Sequence, residues 1–286
     1  MSASASVEAI DLCDSDDDDE NLNPPKRSKP AAASQLSSDE ALARQLQSEE
    51  HERAARELQG GAGSSTGVPG QVVVGSDGWL HWRGEPLDEW LKDCAPSRIS
   101  RRVCSWISVS KPRAASKAVQ FDAAPFLQIL SDVGESIQRT TKLKQVDKDA
   151  AVKRILDVAR TQQETTGKWM LRLKKEEADE VWARVARAVA DGYLGCSTKI
   201  GPTKDMVGDV PLCCVYTDNF DDKKEVHRLL VALNRVIEPM DIKVVCGFKP
   251  DVFTRLGIES GNEWRLPPTI YSVKEVLSEA WEQSLS

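Results

Sequence analysis

The sequence predicts an α+β domain behind a polar N-terminal tail, and three observations lead there. "KWMLRLK" (168–174) alternates apolar and polar residues as a strand does, and "VPLCCVYT" (210–217) and "IKVVCGF" (242–248) are apolar runs of strand length. "EEADEVWARVARAVADG" (176–192) and "DKKEVHRLLVALNRV" (222–236) instead space their apolar residues for one helical face. The two kinds of segment are mixed without a regular strand–helix–strand rhythm, which favours α+β over a doubly wound sheet.

Taken in order, residues 1–37 are rich in Ser, Ala, Asp and Pro, a composition unable to bury enough surface to offset chain entropy. Residues 38–59 read as one isolated helix. Ser37 and Glu40 have capping-box spacing, and Gly60-Gly61 makes a stop. Residues 60–70 are a flexible linker, and the α+β domain spans 71–286. It opens with strand text, "QVVV" and "WLHW", followed by a short helix, "PLDEWLKDC", and a strand within "RRVCSWISVS". Residues 122–162 are mostly helical, and after the segments quoted above "PTIYSV" is a short strand before a final helix.

Charge divides the chain in the same place. Residues 1–67 hold 14 acids and 6 bases, leaving 31 acids and 32 bases of the 45 and 38 in the whole. The tail therefore sets the acidic balance, and the near-neutral domain remains free to gather bases into a local anion site. Seven cysteines at 13, 94, 104, 196, 213, 214 and 246 lack zinc spacing and lie partly in apolar runs, so buried free thiols in the nucleus or cytoplasm are expected. No apolar run reaches the roughly 20 residues of a membrane span. No metal or cofactor is expected.

In the tail, "VEAIDLCDSDDDDE" (7–20) sets a short apolar segment before a carboxylate run. Such a segment suits β-augmentation, adding a strand to a partner's sheet edge while the acids meet a basic rim. "IDLCDSDDDD" resembles SUMO-interacting motifs. The resemblance implies that Val7, Ile10, Asp11 and Leu12 contact SUMO, with Asp14 and Asp16 as acidic flank. Ser15, directly before four aspartates, suits an acidophilic kinase, and phosphate there would add charge beside the same groove. A solvated acidic tail is the bland alternative.

The helix at 38–59 has an apolar stripe of barely two turns, too little for a core helix. "DEALARQLQSEE" (39–50) resembles the ubiquitin-interacting helices in their inverted form. By that resemblance Ala43 allows close approach, Leu42 and Leu46 pack around it, and Glu49 belongs to the acidic flank. Two leucines give roughly 3–5 kcal/mol before association costs, so a weak affinity of about 0.1–1 mM is expected. A charge-laced solvated helix is the alternative. "PPKRSKP" (24–30) is a basic island that suits nuclear import or spacer charge equally.

In the domain, "GKWMLRL" (167–173), "VWARVARAVADGYLG" (181–195), "CCVYTDNFDD" (213–222), "FKPDVFTRLGI" (248–258) and "NEWRLPPTIYS" (262–272) resemble the basophilic leukaemia-expressed protein family. That family's fold is similar to the cap-binding translation initiation factor, which implies a curved antiparallel sheet with helices on its back. The initiation factor stacks its ligand on a tryptophan just before a Gly-X-Trp strand. Here "ARTQQETTGKW" has no tryptophan before Trp169, so the usual stacking slot is not expected.

What remains in the matched motifs is a set of polar residues at strand ends. Lys199, Tyr216, Lys249, Arg265 and Tyr271, with Thr217, Asp218 and Asp251 nearby, are candidates to line an anion or nucleotide pocket. Asp218 and Asp251 also suit helix capping, Trp169, Trp182 and Trp264 suit ordinary core, and the bases suit a solvated face. Relatives labelled phosphothreonine lyases need a lysine base, a histidine acid and an arginine. His51, His81 and His227 fall in no matching pattern, so no catalytic residue is assigned.

The reading that follows is a nuclear or cytosolic adaptor. Its tail binds SUMO and ubiquitin, and its domain binds RNA, a nucleotide or a protein. The alternative is an enzyme on a phosphorylated substrate, lyase-like or nucleotide-processing, with Lys199, Lys249 and Arg265 as phosphate ligands. If those three side chains are scattered and not gathered in one concave pocket, the enzyme reading and the nucleotide reading through them both fail.

Overall fold

In the computed structural model, the described residues are 73–111, 121–140, 143–208, 210–244 and 246–285. All belong to the second of the two units into which the chain divides, Ser64–Ser286. The SUMO-type motif (7–20), the basic island (24–30), the helix (38–59) and the linker (60–70) lie outside them.

Six strands form one sheet: β1 (Trp79–His81), β2 (Trp106–Ser110), β3 (Gly167–Arg172), β4 (Ser197–Ile200), β5 (Leu212–Thr217) and β6 (Lys249–Pro250). Their order across the sheet is β1-β2-β4-β5-β3-β6. The β1–β2 pair is parallel, and the other four pairings are antiparallel. The fold is thus α+β, with one parallel pair at the edge where the sequence led us to expect only antiparallel ones.

Helices α1 (Leu87–Asp93), α2 (Ala124–Thr140), α3 (Gln145–Thr161), α4 (Ala178–Ala190) and α5 (Lys223–Ile237) back the sheet. α4 buries Val181, Trp182, Val185 and Val189, and α5 buries Val226, Leu229, Leu230 and Leu233, the spacing that puts one apolar stripe on each helix. Asp222 caps α5 by accepting a 3.0 Å bond from the Glu225 N–H. These stripes meet Leu80, Ile107, Val109, Trp169, Leu171, Ile200, Cys213 and Val215 from alternate positions of the strands, in one continuous core. Three short helices, α6 (Asp251–Arg255), α7 (Val273–Val276) and α8 (Glu279–Gln283), complete the described fold.

Some local expectations change. Among the described residues of "IKVVCGF" no ladder forms beyond a single bridge from Phe248 to Tyr271, and "PTIYSV" contributes only that bridge. Val244 and Phe248 are nevertheless buried, so their apolar character is used against the core and not in strand pairing. β6 stops at Pro250, which has no N–H to extend a ladder. "QVVV" gives one bridge, Val74 to Leu80. Lys199, expected after a strand, lies within β4.

Gly195 sets the entry to β4. It has φ of +30°, and a Cβ there would strike the Tyr216 carbonyl oxygen, so only glycine lets the chain pass this close to β5. That close passage registers Lys199 against Cys214 and Ser197 against Tyr216.

Candidate anion-binding face of the sheet

Side chains alternate across a strand, so the residues between the core positions stand on the opposite face. The register lays them out in rows. Trp79 of β1 pairs with Trp106 of β2. His81, Ser108, Lys199, Cys214 and Met170 form a second row across β1, β2, β4, β5 and β3. Ser110, Ser197, Tyr216, Lys168 and Lys249 form a third, ending on β6.

Three lysines therefore share one sheet face. Lys168 is buried and donates from Nζ to Asp251 Oδ1 at 2.5 Å and to Thr254 Oγ1 at 2.8 Å, both on α6. Its Nζ also lies 5.3 Å from the Tyr216 ring centroid. Lys199 leans toward the first row, with Nζ 4.3 Å from the Trp79 centroid, 4.2 Å from Trp106 and 5.7 Å from Tyr216. These distances are those of cation–π contacts. Lys249, at 6% exposure, is buried at the edge.

Burial and mutual repulsion act on these amines together. Loss of solvent holds Lys199 below the ordinary lysine range, with Lys168 pushing the same way and Asp251 against it. Burial likewise holds Lys249 below its ordinary value, opposed by Glu259 and Asp251 and assisted by Lys168. Cys214 lies under the lysines, and burial pushes its thiol up to about 11 although Lys168 and Lys199 pull it down. Burial also raises the Tyr216 phenol. Lys168 is paired with Asp251 and Lys249 is buried, which leaves the partly exposed Lys199 as the candidate contact for an anion.

The sequence candidates divide on this geometry. Lys199, Tyr216 and Lys249 share the sheet face, but Lys249 lies three strands from Lys199 and Arg265 lies outside the sheet, so Lys199, Lys249 and Arg265 do not converge and the pocket expected from those three bases is not formed. Tyr271 turns elsewhere: its ring packs against Phe248 and Trp281, and its hydroxyl donates to the Phe220 carbonyl at 3.4 Å. Arg265 is exposed in the left-handed position (φ +53°) of a turn closed by its N–H to the Asn262 carbonyl. Asp218 does not cap α5, since Asp222 does, while Asp251 opens α6 and serves Lys168. Trp169 and Trp182 are fully buried and Trp264 packs against the core. His227 lies 3.8 Å from Glu282, on α5 and away from the lysine rows.

Trp79, Trp106, His81, Ser108 and Lys168 are additions that sequence reading missed. The signal was present in the alternation: in "WLH" and "WISVS" the polar and aromatic positions oppose Leu80, Ile107 and Val109. Nothing in that alternation says that β2 pairs with β4, which is what brings Lys199 to the tryptophans.

Fold and face together define an α+β domain that carries lysines and aromatic rings on the sheet face opposite the long helices, with α6 packed over Lys168 at its edge. Among the described residues no cluster of His, Cys, Asp and Glu could hold a metal ion, and no helix is long and apolar enough to cross a membrane. The chain belongs to the family of the basophilic leukemia-expressed protein Bles03, whose profile matches residues 26–257.

Proposed function

We propose that the domain binds a nucleotide, free or at the end of a single-stranded RNA, on this face. The observation that carries the reading is the placement of Lys199 against the Trp79–Trp106 pair, on the sheet face that also carries Lys168 and Lys249. Aromatic faces stack on any base, and an ammonium group takes the phosphate. The face-and-helix arrangement supports a likeness to the cap-binding initiation factor, with the stacking residues drawn from β1 and β2 in place of the missing tryptophan before Trp169. A near-neutral domain has little long-range pull on a polyanion, so binding is local, weak and sensitive to salt.

The tail supplies the adaptor part of the proposal. Ile10 and Leu12 with their acidic flank support SUMO binding, and Leu42, Ala43 and Leu46 support ubiquitin binding, in the nucleus or cytoplasm. Weak contacts of this kind gain strength by acting together.

The test is photo-crosslinking and a salt titration with a 5′-phosphorylated single-stranded RNA and with the free nucleotide. Lys199→Ala, at a partly buried position, should weaken both while leaving the fold intact. Equal crosslinking by wild type and Lys199→Ala, or none by either at low salt, removes the nucleotide reading and leaves a protein-only adaptor. In parallel, Ile10→Ala with Leu12→Ala should abolish SUMO binding without moving the domain's melt.

A further inference from the structure

Beside Lys199, a hydrogen-bonded chain runs through Asp77, His81 and Ser108. The turn Gly75–Trp79 is closed by the Gly75 N–H to the Trp79 carbonyl at 2.7 Å and by the Gly78 N–H to the Gly75 carbonyl at 3.0 Å. Gly78 takes φ of +73°, which suits glycine at this point of a tight turn. The turn fixes Asp77: Oδ1 accepts from the Trp79 N–H at 3.1 Å, and Oδ2 lies 2.8 Å from His81 Nε2. On its other side, His81 Nδ1 lies 2.7 Å from Ser108 Oγ. The His81 ring also stacks on Trp79, with centroids 5.9 Å apart and planes 24° from parallel, so it is held on three sides.

The tautomer follows from the partners. Ionised Asp77 only accepts, so Nε2 carries the hydrogen and Nδ1 is the acceptor. Burial would raise the Asp77 carboxyl, but bonds from His81 and Trp79 hold it below the usual range, which keeps it ionised. The single hydroxyl proton of Ser108 is then shared between His81 Nδ1 at 2.7 Å and the Leu80 carbonyl at 3.4 Å, and it goes to the nearer, better acceptor. Across the sheet the direct neighbour of Ser108 is Lys199. Ser108 thus has an oriented imidazole on one side and Lys199 as its cross-strand neighbour on the other.

We propose that Ser108 is a nucleophile activated by His81 and Asp77, able to open a small carboxylic ester. The arrangement meets the geometric requirement for a nucleophile, base and orienting carboxylate, with the two ring nitrogens exchanged relative to the usual serine hydrolase. Oγ attacks the ester carbonyl carbon and its proton passes to Nδ1. The negative charge that develops on the carbonyl oxygen falls beside Lys199. The carbon–alkoxide bond breaks, and the leaving alkoxide takes the proton from Nδ1. Water then attacks the acyl carbon, its proton goes to His81, and the Oγ–carbon bond breaks as Oγ is reprotonated. The net reaction consumes ester and water and yields acid and alcohol. With Ser108 at 4% exposure, only a small acyl group reaches Oγ.

The experiment uses the full chain and a small fluorophosphonate, which traps an activated serine covalently whether or not nucleotide binds. Peptide mass spectrometry should place one adduct on Ser108. His81→Gln and Asp77→Asn, both at accessible positions, should slow labelling by about 100-fold and about 10-fold or more, in line with the usual contribution of a general base and its support. Ser108→Ala should remove the adduct, with circular dichroism confirming the fold. A folded wild-type protein with no adduct on Ser108 overturns the proposal, as does labelling that proceeds equally fast in His81→Gln.

Discussion

The Nζ of Lys199 sits 4.2 Å from the centroid of the Trp106 ring, although nearly a hundred positions separate them in the chain. Pairing of β2 with β4 makes the contact, and Trp79 adds a second ring at 4.3 Å. The lysine's amine occupies a surface on which an aromatic base would also stack.

Removing one ring should therefore weaken nucleotide binding directly. A stacked base contributes about 1–3 kcal/mol, so Trp106→Ala should bind roughly 5- to 150-fold more weakly. The same substitution opens Lys199 to solvent, and its amine should move back up toward the ordinary lysine range. Fluorescence titration measures the first effect and NMR titration of the lysine side chain the second. Unchanged affinity would show that the ring is a cover for Lys199 and not a stacking platform.

The buried pair of Lys168 and Asp251 should be asymmetric under mutation. Asp251→Ala leaves a buried ammonium with Thr254 as its remaining hydrogen-bond partner, and should cost about 3 kcal/mol. Lys168→Met removes the charge and keeps the stem packed against Tyr216, so it should cost distinctly less. Urea unfolding of the two variants decides the order. The reverse order would mean that the ion pair, and not the desolvated charge, dominates.

Stability should fall in alkali. Burial pushes Cys94 and Cys213 up to about 12, and Cys104 and Cys214 up to about 11, from 9.0. The folded state thus holds the thiol protons more tightly than the unfolded chain. Their contribution is complete below pH 9.0 and is lost as pH rises toward the folded values. Lys199 and Lys249, held low, act with the opposite sign up to 10.5, but these are two amines against four thiols. Urea melts between pH 8 and 11 should show the net decline, and Cys213→Ala should flatten it.

Two buried tryptophans should respond differently to phenylalanine. Trp169 Nε1 donates to the Val226 carbonyl at 3.1 Å, whereas Trp182 Nε1 is buried without a hydrogen-bond partner. Both variants lose ring volume, but only Trp169→Phe loses a bond, and Trp182→Phe also removes an unsatisfied donor. The first should be less stable than the second by about 1–2 kcal/mol in thermal or urea unfolding.

The sequence by itself determined the secondary elements with strong periodicity and the α+β class. Val226, Leu229, Leu230 and Leu233 mark the helix, and Trp169, Leu171, Cys213 and Val215 mark the strands, because local spacing alone decides which residues can share a face. It also set the charge balance, since the first 67 residues, with the acids between Asp14 and Glu20, carry the chain's net negative charge. Its apolar signal misled at "IKVVCGF", where burial of Val244 and Phe248 is met without a ladder, since hydrophobicity reports burial and not pairing. Only the tertiary structure decided the site. Lys168, Lys199 and Lys249 sit on three strands, and Asp77, His81 and Ser108 come from the turn before β1, from β1 and from β2. Tyr271 and Arg265, which lie in the same kind of polar, strand-end text, are carried elsewhere. The physical reason is that register and strand order depend on long-range pairing, such as β2 with β4 and β3 with β6, for which no short stretch of chain holds the information.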